Sequence, residues 1–226
     1  MKNQGKYLLL LLVLVMGLVA CGTLSEPEEA SAPIEAATLD TSSSTDAAAL
    51  RTYQISSTDS TVTFALDEEL MGQPKTVVGT TNQVAGEIAV NLADLSTAQV
   101  GVIQINARGL TTDNNMRTRT MQNRILETGE FEFITFTPTL VNGLPASAVV
   151  GESVSFTISG DLTIRDITQP VVFNVTATVV SETQLSGTAT AIVNRGDFDL
   201  QIPSVPNVAN VEEEVELTIE FIANAS

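Results

Sequence analysis

The stretch Val154-Ser155-Phe156-Thr157-Ile158-Ser159-Gly160-Asp161-Leu162-Thr163-Ile164 decides the fold. Every even position is apolar or Gly and every odd one is polar, the period of two by which a strand sends successive side chains to opposite faces. One face is dry and the other wet, as in antiparallel sheet. The same alternation recurs outward from it. Val62, Phe64 and Leu66 alternate with Thr61, Thr63 and Ala65, and Val215, Leu217, Ile219 and Phe221 with Glu214, Glu216, Thr218 and Glu220. Further strands are expected at 84–90, 100–107, 134–140, 171–180 and 184–193. Turn residues separate them: Asn142-Gly143 with Pro145, Arg165-Asp166 before Pro170, and Gly196-Asp197. Eight or so such strands without alternating helices predict an all-β fold, an antiparallel barrel or sandwich.

One segment departs from the strand period. Asp113 is a suitable N-cap and Gly129 a suitable stop for a short helix over 114–127, in which Arg117, Met121 and Ile125 form an i, i+4 row. Four of the seven basic residues after Thr52 are Arg108, Arg117, Arg119 and Arg124, at or just before this segment. The helix either covers a barrel mouth with adaptable methionine or plugs one end of the core, its arginines answering nearby carboxylates.

Composition removes several chemistries. The 226 residues carry 10 Lys+Arg against 27 Asp+Glu, a net charge of −17, with no His, no Trp and one Cys. Without histidine there is no Ser-His-Asp or Cys-His triad and no imidazole ligand for a metal. One cysteine forms neither an internal disulfide nor a Cys₄ zinc site. So acidic a chain repels nucleic acid. Asp197-Phe198-Asp199 and Glu212-Glu213-Glu214 lack the spaced oxygens and turn glycine of a calcium loop, and read as solvated acidic faces. No metal, no cofactor and no catalysis are expected. Arg195, within an apolar strand, reads as one half of a structural ion pair.

The N-terminus is a targeting segment. Lys2 and Lys6 precede an uncharged run from Tyr7 to Ala20, shorter than the ~20 apolar residues a bilayer span needs. The run closes on Leu18-Val19-Ala20-Cys21-Gly22, which resembles the lipobox of bacterial lipoproteins. Residues 1–20 are therefore expected to be a signal peptide and Cys21 the acylated first residue, an anchor to the membrane and not a nucleophile. Removing Lys2 and Lys6 takes the charge to −19. Residues 21–51, rich in Ser, Thr, Ala, Glu and Pro, are expected to be a disordered acidic tether, and 52–226 the folded domain.

From Tyr53 to the C-terminus the chain resembles the YceI-like family of periplasmic and secreted lipid-binding proteins. Tyr53-Gln54-Ile55 with Ser60-Thr61-Val62-Thr63-Phe64 is similar to that family's first strand. Val78-Gly79 and Gly86-Glu87-Ile88 are similar to its second and third, and Leu110-Thr111-Thr112 through Phe136 to its strand-helix-strand passage. Gly160-Asp161-Leu162-Thr163-Ile164 leading to Thr168-Gln169-Pro170-Val171 matches its most specific hairpin, and Arg195-Gly196-Asp197-Phe198 its late strand. Asp199 stands where a glycine is usual.

The resemblance implies an extended, lipocalin-like barrel of eight antiparallel strands with one short helix. Such a barrel would bind, store or transport a long isoprenoid-like or quinone-like lipid in its lumen, on the periplasmic or outer side of a membrane. The lumen would be lined by Phe64, Leu66, Ile88, Ile103, Ile105, Met121, Ile125, Phe136, Phe156, Ile158, Leu162, Phe173 and Val175, with Arg117, Arg119 and Arg124 at the head group. Small inward residues such as Gly86, Ala107, Gly160, Ala177, Ala189 and Ala191 would leave axial space. The competing reading is a surface-anchored structural or adhesive β-sandwich with a solid core and a protein partner. Whether the chain forms a homodimer is left open.

Overall fold

The computed structural model describes residues 26–39 and 50–226; the leader, Cys21 and its lipobox lie outside them. Fourteen strands form one antiparallel sheet: β1 Arg51–Ile55, β2 Thr61–Leu70, β3 Gln73–Thr81, β4 Val84–Ala85, β5 Glu87–Asn91, β6 Asp94–Val100, β7 Ile103–Asn106, β8 Thr111–Thr112, β9 Phe133–Asn142, β10 Ser153–Ile164, β11 Ile167–Ser181, β12 Gln184–Asn194, β13 Val208–Ala209 and β14 Glu214–Ala225. They pair in the order β4-β7-β9-β10-β11-β12-β14-β1-β5-β6; β14 also carries β2, which pairs with β3 and β13, and β3 pairs with β8. The sheet curls around an apolar interior, all-β as the alternation requires.

Fourteen segments stand where eight strands were expected because several of the expected strands are broken. The strand over 84–90 divides at Gly86, where a Cβ would sit 2.4 Å from Ile103 Cδ1. Gly101 and Val102 separate β6 from β7, and the Gly101 N–H donates to the Glu87 carbonyl at 2.8 Å. β14 meets β2 over Glu216–Glu220 and β1 over Ala223–Ala225. Between them Ile222 N–H donates to Ser60 Oγ (3.1 Å), and its carbonyl accepts the Ser56 N–H (2.8 Å), so the corner between β1 and β2 keeps its backbone groups satisfied.

The deciding stretch is β10. It pairs with β11 at every position from Ser153↔Thr178 to Ile164↔Ile167 through the two-residue turn Arg165-Asp166, with Arg165 at φ 56°. On the dry face Ile158, Leu162 and Ile164 are buried; on the wet face Ser155 and Thr163 exchange hydroxyl hydrogen bonds with Thr176 and Thr168.

The helix is shorter than expected and begins one residue later. α1 spans Asn115–Thr120, and its N-cap is Asn114, whose side chain accepts from the N–H groups of Met116 (2.9 Å) and Arg117 (3.1 Å). Asp113 does not cap because its carboxylate is held by Lys75 (2.6 Å) and Arg117 (2.7 Å). Past Thr120 the chain widens into a π turn over Met121–Ile125, with Leu126 N–H on the Met121 carbonyl at 2.8 Å. Glu127, at φ 49°, ends the segment ahead of Gly129. Asp199 also takes a left-handed φ of 50°, the geometry that a glycine there would adopt freely.

Residues 26–39 have no regular secondary structure but lie against the sheet. Glu28 pairs with Arg108 at 2.9 Å, and the Glu29 carbonyl accepts from Arg108. Ser31 donates from both N–H and Oγ to Glu132 (2.8 and 2.9 Å), and the Leu39 N–H donates to Glu87 at 2.6 Å. This part of the expected free tether is held because its acids meet two of the chain's few cations, Arg108 and, at 3.7 Å from Glu26, Arg119.

Candidate functional site

Inside the curled sheet are two apolar cavities, of about 120 and about 160 Å³. The first is walled by Ile88, Ile103, Phe156, Ile158 and Val175, with Ala177, Ala189 and Phe221 among others. The second is walled by Phe64, Leu66, Ile105, Met121, Ile125 and Leu162, with Leu200, Ile202 and Leu217 among others. Phe136, Phe173 and Ile219 stand on both walls. The two rings meet edge to face, centroids 4.9 Å apart at 71°, and form a waist between the chambers. All thirteen side chains expected to line a lumen are brought to these walls.

The space is kept open by glycines placed under aromatic rings. Gly79 faces Phe64 across the β2–β3 ladder, and Gly187 faces Phe221 across β12–β14. A Cβ on Gly79 would lie 2.1 Å from Phe64 Cε1, and one on Gly187 2.7 Å from Phe221 Cζ. Gly160 takes the Phe136 ring in the same way, at 2.6 Å. In each case the missing side chain leaves the room that the ring occupies. The glycine interruption of the alternation is thus what gives a scarce set of aromatics room beside a cavity.

The three arginines expected at a head group are not on either wall. Arg117 is drawn aside to Glu68 (2.8 Å), whose carboxylate is buried, and to Asp113. Arg119 turns toward Glu26, and Arg124 is exposed, with no ion pair among the described residues. Arg195 is the cation on the second wall. Its guanidinium pairs with Glu213 and donates to the carbonyls of Glu212 (3.0 Å) and Leu200 (3.1 Å), which ties the loop carrying Leu200 and Ile202 over the cavity. Leu200 and Ile202 were missed in the sequence because an irregular loop carries no period. Ile219 and Phe221 were visible in the parity of β14.

Two carboxylates near the α1 end are held below their ordinary values. For Asp113 the Lys75 hydrogen bond leads, partly opposed by burial and aided by the charges of Arg117 and Lys75. For Glu132 burial pushes upward, but the hydrogen bonds from Ser31 and Asn106 and the charge of Arg108 together outweigh it. Both are tied up in structure. Among the described residues no cluster of His, Cys, Asp or Glu could hold a metal, and no helix is long and apolar enough to cross a membrane.

The fold and its interior define a class of all-β proteins, a curled antiparallel sheet around apolar cavities on whose walls Arg195 is the charged side chain. The YceI-like domain model matches residues 53–223, and the chain belongs to that family. Solved structures share the fold. A polyisoprenoid-binding domain from Saccharophagus degradans superposes with a TM-score of 0.60 at 14% identity, covering 77% of this chain and 98% of its own. BcnA of Burkholderia cenocepacia gives 0.59 at 15% identity, covering 75% and 99%. The YCEI protein of Campylobacter jejuni gives 0.53 at 16%, covering 66% and 84%. No curated protein matches significantly.

Proposed function

We propose that the chain is a lipid-anchored carrier or reservoir that encloses a long isoprenoid-like lipid, a polyisoprenoid or quinone-like molecule, and performs no catalysis on it. The observation that carries this reading is the pair of apolar chambers joined at a waist of two phenylalanines and Ile219. An adhesive sandwich would fill that volume with side chains. Family membership and the polyisoprenoid-binding neighbour support the same class of cargo. The strand segments read as eight long paths, 51–70, 73–91, 94–112, 133–142, 153–164, 167–181, 184–194 and 214–225, each paired with the next and the last with the first. On that reading the sheet closes as a barrel, which leaves no free edge and one interior.

Burial of the tail supplies the affinity, at about 0.8 kcal/mol for each CH₂-sized group taken from water. Arg195 and the polar groups of the 195–213 loop would meet the head group. Acylation of Cys21 would place the domain at the periplasmic or outer face of a membrane. Native mass spectrometry of residues 22–226, followed by organic extraction, tests the cargo: the expected result is an apolar molecule of uniform mass on the folded protein. A protein that is recovered empty and takes up no added polyprenol would overturn the reading.

A further inference from the structure

The wall of the first cavity is not laddered all the way round. β7 pairs with β9 from Asn106↔Phe133 to Ile103↔Phe136. Beyond that point β9 runs on to Asn142 beside β10, while β6 pairs with β5, so among the described residues no backbone ladder joins β6 to β9. Leu95, Ala98 and Val100 on one bank of this seam and Val141 on the other face the cavity, and the loop after β9 folds back over the gap with Leu144 and Ala148 on the same wall. We propose that this loop, 143–151, is a hinged door through which the tail of the lipid enters the first chamber, the second being reached past Phe136 and Phe173. The proposal rests on the lipid-carrier reading of the interior.

Three features make the loop a door and not a fixed wall. Its ends are Gly143, at φ 91°, and Gly151, at φ 89°. A Cβ on Gly151 would meet no atom within 4 Å, and one on Gly143 would come no closer than 3.7 Å to Phe156, so these glycines serve backbone rotation and not a tight fit. The second feature is how little holds the loop. No residue from Gly143 to Gly151 is charged. The Gly151 N–H donates to the Val179 carbonyl at 2.7 Å, which fixes one hinge on β11, but the middle is tied across the seam by two backbone bonds, from Leu95 N–H to the Ala146 carbonyl and from Ala148 N–H to the Leu92 carbonyl, both 2.9 Å. The coverings of the second cavity are gripped by charge: Arg117 on the buried Glu68, Lys75 on Asp113, and Arg195 on Glu213, with β13 laddered to β2. Charge-assisted bonds outlast neutral ones, so the 143–151 loop is the covering that opens first. Third, Val149 and Val150 are 67% and 53% exposed on it, so a tail sliding under the door meets apolar surface outside as well as inside.

Hydrogen exchange and a reversible lock test the door. In the lipid-free full chain the Leu95 and Ala148 amides are expected to exchange about tenfold or more faster than the amides of the β10–β11 ladder; equal protection would overturn the proposal. Asp94 and Ser147 lie between the two seam bonds, and the lock is a disulfide joining Asp94→Cys to Ser147→Cys in the full chain with Cys21→Ser. Bound polyprenol is challenged with a deuterated copy and followed by native mass spectrometry. The lock should slow exchange about tenfold or more, and dithiothreitol should restore it. Exchange at the same rate with the disulfide closed as with it reduced would overturn the proposal. A chain that takes up no polyprenol, while the two amides still exchange ahead of the ladder, counts against the carrier reading alone.

Discussion

Ala177→Leu separates a hollow interior from a packed one by the sign of its effect. Ala177 faces the first cavity between Val154 of β10 and Gly187 of β12. The Phe221 ring over Gly187 and the Val154 side chain bound the space that the leucine enters. Three added carbons placed in empty apolar space contribute about 2.4 kcal/mol at ~0.8 kcal/mol each. Fixing a leucine rotamer costs about 0.5–1 kcal/mol. The lipid-free protein should gain about 1.5 kcal/mol, a rise of about 3–6 °C in Tm for a domain of this size. In a filled core the same change would cost about 1–3 kcal/mol in overpacking. The assay is urea unfolding of delipidated residues 22–226 followed by circular dichroism, with polyprenol uptake measured on the same preparations. A lower unfolding midpoint at unchanged slope would refute the hollow interior. A stabilised variant should also take up less polyprenol, because the leucine occupies part of the cargo volume.

Three further outcomes follow from the walls and the charges. Gly160→Ala puts a methyl 2.5 Å from the Thr137 carbonyl and 2.6 Å from the Phe136 ring, so urea unfolding should show a loss of about 1–3 kcal/mol or more. Phe156→Ala removes part of the first wall; losing the equivalent of about two CH₂ contacts weakens retention of a bound polyprenol about tenfold, and unchanged occupancy in native mass spectra would remove Phe156 from the contact surface. Asp113 and Glu132 are both depressed below their ordinary values of 3.8 and 4.5, so the stability they bring is present above those values and is lost as the pH falls below them. Unfolding midpoints measured at neutral and strongly acid pH should show that loss, and Glu132→Gln should flatten it.

The dry face of β10 was legible because strict parity admits one reading; among the thirteen side chains brought to the cavity walls, Met121 and Ile125 lay instead on the helical i, i+4 row. The breaks were not legible, since Gly86 and Gly101 sit inside apolar-rich stretches that read as continuous strand. β3, Gln73-Pro74-Lys75-Thr76-Val77-Val78-Gly79-Thr80-Thr81, carries little alternation because its register is set by the β2 ladder and by Phe64 lying on Gly79. The arginines were misplaced for a different reason. Helical spacing put Arg117 in line with Met121 and Ile125, but a long side chain goes where its charge is answered, and the buried Glu68, far away in sequence, claims it. The acidic tether is expected to be disordered for the same reason, since the cationic partners of its Glu26 and Glu28 are about ninety and eighty residues distant.

The waist decides how the two chambers work together. An edge-to-face aromatic pair contributes about 0.5–1.5 kcal/mol beyond its buried area, whereas each isoprene unit, with five carbons, gains about 4 kcal/mol on leaving water. A tail too long for one chamber therefore parts Phe136 from Phe173 at a cost well below the gain from its next unit, while a tail that fits one chamber leaves the pair closed. The waist grades chain length without blocking it. Phe173→Leu keeps most of the volume and removes the ring contact, so long polyprenols should gain up to about tenfold over short ones, the equivalent of ~1.4 kcal/mol. Paired competition of a short and a long polyprenol for the delipidated domain, read by native mass spectrometry, measures that ratio; a ratio equal to that of the unaltered chain would mean that the rings stand beside the path of the tail and not across it.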